Sequence, residues 1–98
     1  MKVEYTLQDI YFEWDHAKAS TNFKKHGVSF ETACETFFDP FLVTADGGAE
    51  QGEIRDALIG MTIEWKLLWV IYVMRGDVVR IVSARPATNP ERKRYENQ

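Results

Sequence analysis

Apolar and polar positions change their rhythm partway along the chain, and the change divides it into a mainly helical part and a mainly stranded part. Residues 1–9 are mixed in character and read as a loose lead-in, after which Tyr11-Phe12-Glu13-Trp14 looks like a short strand. Asp15 stands where a helix needs its N-cap. A helix is predicted from about His16 to His26, with Ala19 and Phe23 turned inward at i,i+4 spacing. Gly27 supplies the left-handed residue that closes it. Ser29 is set to cap a second helix, on which Phe30, Ala33, Cys34 and Phe37 fall at i, i+3, i+4 and i+7. Asp39-Pro40 ends that stripe, because proline has no amide hydrogen and keeps the preceding residue out of the helical region.

The second half reads as β-structure. Residues 41–44 are a candidate strand, and Asp46-Gly47-Gly48 with Gly52 marks a mobile loop. Residues 55–61 and 66–74 are two more strands joined by a short turn, and Arg75-Gly76-Asp77 makes a tight hairpin into a strand over 78–85. Segment 66–74 is apolar at nearly every position, which places it centrally with one face under the two helices. Asn89-Pro90 starts a last helix, with Pro90 at its first helical position. The predicted fold class is α+β: two N-terminal helices packed on a mainly antiparallel β-sheet, followed by a short C-terminal helix. Phe23, Phe30, Phe37, Trp69 and Ile71 are the expected core.

At 98 residues and 45% hydrophobic, the chain forms one domain, 1–98, with a real but small core. A single cysteine, Cys34, excludes an intramolecular disulfide and fits a reducing compartment. The longest apolar run, residues 67–74, is far short of a membrane span, and the N-terminus lacks the layout of a signal peptide. The expectation is a cytoplasmic protein with no membrane partner. Charge adds a more specific hint. Residues 75–98 carry six Lys/Arg against three Asp/Glu, a balance of +3, while the rest carry six against twelve, or −6. A basic end on an acidic body suggests one electropositive face directed at an anion.

Candidate chemistry is narrow. His16 and His26 lie ten residues apart on one helix with no cysteine pair beside them, so no metal site and no cofactor is expected. Cys34 belongs to an apolar helical stripe, and Gly47-Gly48 precedes no helix and has no P-loop lysine. Lys24-Lys25-His26 puts three potential cations at a helix end. They suit phosphate, with His26 able to move a proton near neutral pH, and they equally suit the helix macrodipole, worth ~0.3–1 kcal/mol each. Arg80 and Arg85 are an odd number apart, so they face opposite ways unless their strand twists or bulges. The last helix sets Glu91 and Tyr95 on one side and Arg92 and Glu96 on the next. Carboxylate, guanidinium and aromatic ring together suit RNA, and the same residues also make an ordinary capped, solvated helix.

Three segments occur in order: FEWDHAKASTNFKKHGVSFETACETFFDP, RDALIG and GDVVRIVSARPATNPERKRYE. Together they resemble the BrnT family of bacterial type II toxins across nearly all of residues 12–95. The most specific pieces are Trp14-Asp15, Lys25-His26-Gly27-Val28-Ser29-Phe30, Phe38-Asp39-Pro40, Ser83-Ala84-Arg85 and Glu91-Arg92 with Tyr95. The resemblance implies a RelE-like fold and metal-independent cleavage of an RNA substrate. It also implies a BrnA-like antitoxin that blocks the toxin and binds operator DNA as part of the complex. On that basis Arg85 and Arg92 hold phosphate, and His26 or Glu91 moves protons. Lys24, Lys25 and Arg80 add positive potential, and Tyr95 stacks or orients. The rival expectation is a non-catalytic interaction domain whose basic end docks an antitoxin and modulates its DNA binding.

Overall fold

The chain opens on a strand. Residues 2–7 alternate Lys-Val-Glu-Tyr-Thr-Leu, and that period of two builds β1 (Lys2–Leu7), paired antiparallel with β2 (Ile10–Asp15). Gln8 and Asp9 make the two-residue turn with φ of 46° and 67°, the double left-handed geometry that matches strand twist. The structure, a computed structural model, describes all 98 residues. After the hairpin comes α1 (His16–His26), capped by the Asp15 carboxylate, which accepts from the Lys18 N–H at 3.0 Å, and closed by Gly27 at φ 70°. The Ser29 hydroxyl caps α2 (Phe30–Glu35), which runs into a 3-10 turn, Thr36–Phe38. Four strands follow: β3 (Val43–Glu50), β4 (Glu53–Met61), β5 (Leu67–Arg75) and β6 (Val78–Pro86). The last element is α3 (Asn89–Glu96). Thr88 is its N-cap, so the helix begins at Asn89, one residue before the proline expected to start it. No helix is long and apolar enough to cross a membrane.

All six strands form one sheet in the order β1-β2-β6-β5-β4-β3. Its one parallel pairing, β2 with β6, makes the sheet mixed, and the pairing spans only residues 11–13 against 78–80. Beyond it α1 replaces β2 along the edge of β6. The Asn22 side chain accepts from the Ala84 N–H at 3.1 Å and donates to the Ala84 carbonyl at 2.8 Å. Its amide does for β6 what a neighbouring peptide group does inside a sheet. The expected fold, two N-terminal helices packed on a mainly antiparallel sheet and followed by a short C-terminal helix, is therefore corrected. A β-hairpin precedes the helices, and the six-stranded sheet they pack on is mixed. The parallel contact joins residues almost seventy positions apart, which no local pattern announces.

The core lies on one face of this sheet. Phe12, Trp14, Leu58, Leu68, Val70, Val79, Ile81 and Ala84 meet Val28, Phe30, Ala33 and Cys34 from the helical side. Gly60 is needed there, since a Cβ on it would come within 2.9 Å of Thr36 Cβ. Three of the expected core residues are displaced. Phe23 is 55% exposed, and Asn22 is instead the buried residue of α1, because that helix docks through hydrogen bonds to β6. Trp69 and Ile71 are half-buried on the opposite face, while Leu68 and Val70 enter the core. A strand apolar at every position conceals which alternate set the helices cover. Phe30 is fully buried as expected, and Phe37 sits at the core margin, edge-on to Phe12 and Tyr72 at 5.3 and 5.0 Å. Gly47-Gly48 is no loop: the pair forms a bulge inside β3, where a Cβ on Gly47 would lie 2.5 Å from the Asp56 carbonyl oxygen.

Candidate functional site

Arg85 and Glu91 meet each other. The guanidinium donates to both carboxylate oxygens, at 2.8 and 2.9 Å, and lies 5.3 Å over the Trp69 ring. The local sequence explains the pairing. Thr88 and Glu91 form a capping box that turns the Glu91 carboxylate back toward the end of β6, where Arg85 stands. The Arg85 hydrogen bonds hold the Glu91 carboxyl below the usual carboxylate range, and the same hydrogen bonds raise the guanidinium pKa further. A carboxylate engaged this way is a weak proton acceptor. Its geometry is that of a clamp between β6 and α3.

Arg80 is also engaged. Its guanidinium donates to Glu13 at 2.9 Å, and Lys2 approaches the same carboxylate at 3.8 Å. The expectation that Arg80 and Arg85 point apart is altered by a bulge. Ile71 pairs with Ser83 and Tyr72 with Ile81, leaving Val82 as an extra residue. Arg80 then sits opposite Val73 and Arg85 opposite Trp69, four residues apart on β5 and so on one face. That face carries no core helix.

Tyr95 turns elsewhere. Its hydroxyl donates to Asp39 Oδ2 at 2.6 Å, and burial together with that carboxylate pushes its pKa up to about 12. Asp39 Oδ2 also accepts from the Met61 N–H at 2.8 Å, so one carboxylate ties α3 and β4 to the 3-10 turn. Lys24 points away as well, lining a groove with Phe23, Trp14 and Phe30. Cys34 is fully buried, and burial pushes its thiol far above the usual range, as befits a core residue. No three His, Cys, Asp or Glu side chains converge as a metal would require.

His26 is where expected residues and unexpected ones gather. As the last residue of α1 it lines a cavity of about 410 Å³ together with Trp65, Lys66, Pro86 and Arg92. On its other side it lines a second cavity, of about 360 Å³, with Lys18, Thr21, Lys25 and Ser83. Of the expected site residues, the structure thus brings together Lys25, His26 and Arg92. It leaves Arg85 and Glu91 paired behind them and sends Lys24, Arg80 and Tyr95 to other surroundings.

Trp65 and Lys66, which line the first of these cavities, escaped the sequence reading. Trp65 is 83% exposed and holds φ 63°, a backbone state costly for a bulky residue. The β4–β5 turn enforces it: the Thr62 N–H donates to the Lys66 carbonyl at 2.9 Å, and the Trp65 N–H to the Thr62 carbonyl at 3.1 Å. A tryptophan in a turn position that favours glycine was the available signal. The arrangement offers an imidazole for proton transfer, cations on both sides of it, and an exposed indole for a planar group.

Comparison with known proteins identifies the family. The family model described as "Ribonuclease toxin, BrnT, of type II toxin-antitoxin system" matches residues 14–91. Among solved structures, the 1.1 Å crystal structure of the Brucella abortus ribonuclease toxin, BrnT, is similar with a TM-score of 0.52. The two are 23% identical, over 78% of this chain and 94% of that one, a likeness of fold. No curated protein is matched. Because the family model spans α1, α2, β3 to β6 and the start of α3, the chain belongs to the BrnT family of type II toxin–antitoxin systems.

Proposed function

We propose that this toxin cleaves RNA where α1 ends, with His26 as proton acceptor, and that a BrnA-like antitoxin neutralises it. Operator DNA is then reached only through the antitoxin. The observation that carries this reading is the single cavity shared by His26, Arg92, Lys66 and Trp65. An RNA phosphate held by Arg92 and Lys66 brings the adjacent ribose to the imidazole. The 2′-hydroxyl gives its proton to His26 as the 2′-oxygen bonds to phosphorus. The bond to the 5′-oxygen breaks, that oxygen takes up a proton, and a 2′,3′-cyclic phosphate remains. Lys66 and Arg92 stabilise the charge that builds on the phosphorane, Lys25 adds positive potential from the other side of His26, and no metal is required. Trp65 stacks on a flanking base. Arg85 and Glu91 act one step removed, fixing α3 so that Arg92 keeps its place.

The test is RNA cleavage by purified protein. His26→Ala, confirmed as folded, is expected to lose roughly 10²–10⁴-fold in rate. Lys24→Gln, altered on the other side of the helix, keeps the wild-type rate, and EDTA changes nothing. Wild-type cleavage by folded His26→Ala, or loss of cleavage on chelation, overturns the assignment. A second reading is favoured by one feature, the exposed Phe41, Ile63 and Trp65 around a cavity of about 340 Å³. There the chain is a docking domain that modulates DNA binding by its antitoxin, and it neither cleaves RNA nor arrests growth when expressed alone.

A further inference from the structure

The His26 cleft continues beyond the reacting centre. His26 belongs to both cavities described above, and Lys18 belongs to the second of them and to a third. That third cavity, of about 370 Å³, is lined only by polar residues: Lys18, Glu50, Gln51, Glu53, Arg55 and Arg75. Three cations face two carboxylates there. Arg55 donates to Glu50 at 2.9 Å and Arg75 to Glu53 at 3.0 Å, and Lys18 makes no ion pair. The Arg55 Nε is buried and has no hydrogen-bond partner, so Glu50 leaves that guanidinium only partly satisfied. Glu50 and Glu53 flank the β3–β4 turn, and their side chains are 64% and 38% exposed, so solvent competes with each guanidinium for its carboxylate. An arriving phosphate can displace them at small cost.

We propose that Lys18, Arg55 and Arg75 form a distal phosphate subsite for single-stranded RNA, joined to His26 by the Lys18–Lys25 face of α1. This rests on the cleavage reading above and adds the path of the strand. Lys18, Thr21 and Lys25 are spaced i, i+3 and i+7, a single stripe along α1. Seven residues of helix rise about 10 Å. A stacked strand advances about 3.4 Å per nucleotide, so the Lys18–Lys25 stripe alone spans about three nucleotides, and the distal subsite engages a phosphate at least that far from the one cleaved. The toxin therefore prefers RNA long enough to span both, and a dinucleotide reaches only the His26 end.

The experiment compares cleavage of a dinucleotide and of an eight-nucleotide RNA by wild type, Lys18→Gln and Arg75→Gln. Both altered side chains are exposed, and circular dichroism checks folding. The wild type is expected to show a KM at least fivefold lower for the longer RNA. Each variant is expected to lose most of that advantage, to keep the wild-type rate on the dinucleotide, and to show a shallower salt dependence on the long RNA by about 0.7 in slope. Equal KM values for the two RNAs in the wild type, or variants that keep the full advantage, overturn the subsite. Variants impaired equally on both RNAs overturn it too, since Lys18 and Arg75 then act at the reacting phosphate. If the wild type cleaves neither RNA, the cleavage reading itself fails, and this result is distinct from cleavage without length preference.

Discussion

The two faces of the sheet are built from the same strands to opposite ends. Under the helices, Leu68, Val70, Ile81 and Ala84 are sealed against Phe30, Ala33 and Cys34, and no charged group enters. On the other face, Trp69 and Ile71 are half-buried, and Arg85 lies across Trp69. Long cationic side chains cover apolar strand residues there with their stems while keeping their charge near water. The first face stabilises the domain, and on the second Arg80 and Arg85 are held by the carboxylates of Glu13 and Glu91. The lesson is a separation of duties. The apolar core rests on one side and the arginine–carboxylate clamps on the other, so either can be altered with little exchange between them.

The largest effect should come from the helical side. Phe30→Ala removes a fully buried ring in edge contact with Trp14 at 5.8 Å and is expected to cost ~3–5 kcal/mol in urea unfolding. RNA cleavage per folded molecule stays unchanged. A loss of activity in the remaining folded protein would show that the faces are coupled after all. The clamp on the other face is weaker. Glu91→Gln keeps the capping box, which accepts glutamine, and removes only the ionic half of the Arg85 pair. The expected loss is about 1 kcal/mol near pH 7, because the pair is partly exposed.

The pH dependence of that loss has a definite sign. The folded Glu91 pKa lies below its unfolded value, so the stabilisation is full above the ordinary carboxylate range and is lost as pH falls through it. Wild type and Glu91→Gln should converge in stability at acid pH and differ most near neutrality. A difference independent of pH would assign the effect to packing. The smallest effect is predicted for Trp69→Leu, which keeps an apolar residue under Arg85 and loses the cation–π contact, about 0.5–1 kcal/mol. A cost as large as that of Phe30→Ala would place Trp69 in a second core and erase the contrast between faces.

Local signals survived well into the structure. Asp15, Gly27 and Ser29 cap the helices where the sequence puts them, Phe30, Ala33 and Cys34 are buried together, and the strands from β4 to β6 lie where the apolar runs predict. Each of these depends on residues within a few positions of one another, so the chain alone contains the information. Of the candidate site, Lys25, His26 and Arg92 were legible as residue types, and their gathering was not.

What only the tertiary structure decided follows from contacts between distant segments. The parallel pairing of β2 with β6 leaves an edge that Asn22 fills, and this turns Phe23 outward. The bulge at Val82 reverses the alternation of β6 and brings Arg80 and Arg85 to one face. Glu91 is drawn to Arg85 and Tyr95 to Asp39, and His26 stands beside a tryptophan and a lysine from the β4–β5 turn. Periodicity determines which residues share a face of their own element. Which face meets a partner, and which charges neutralise each other, is determined by packing across the whole chain.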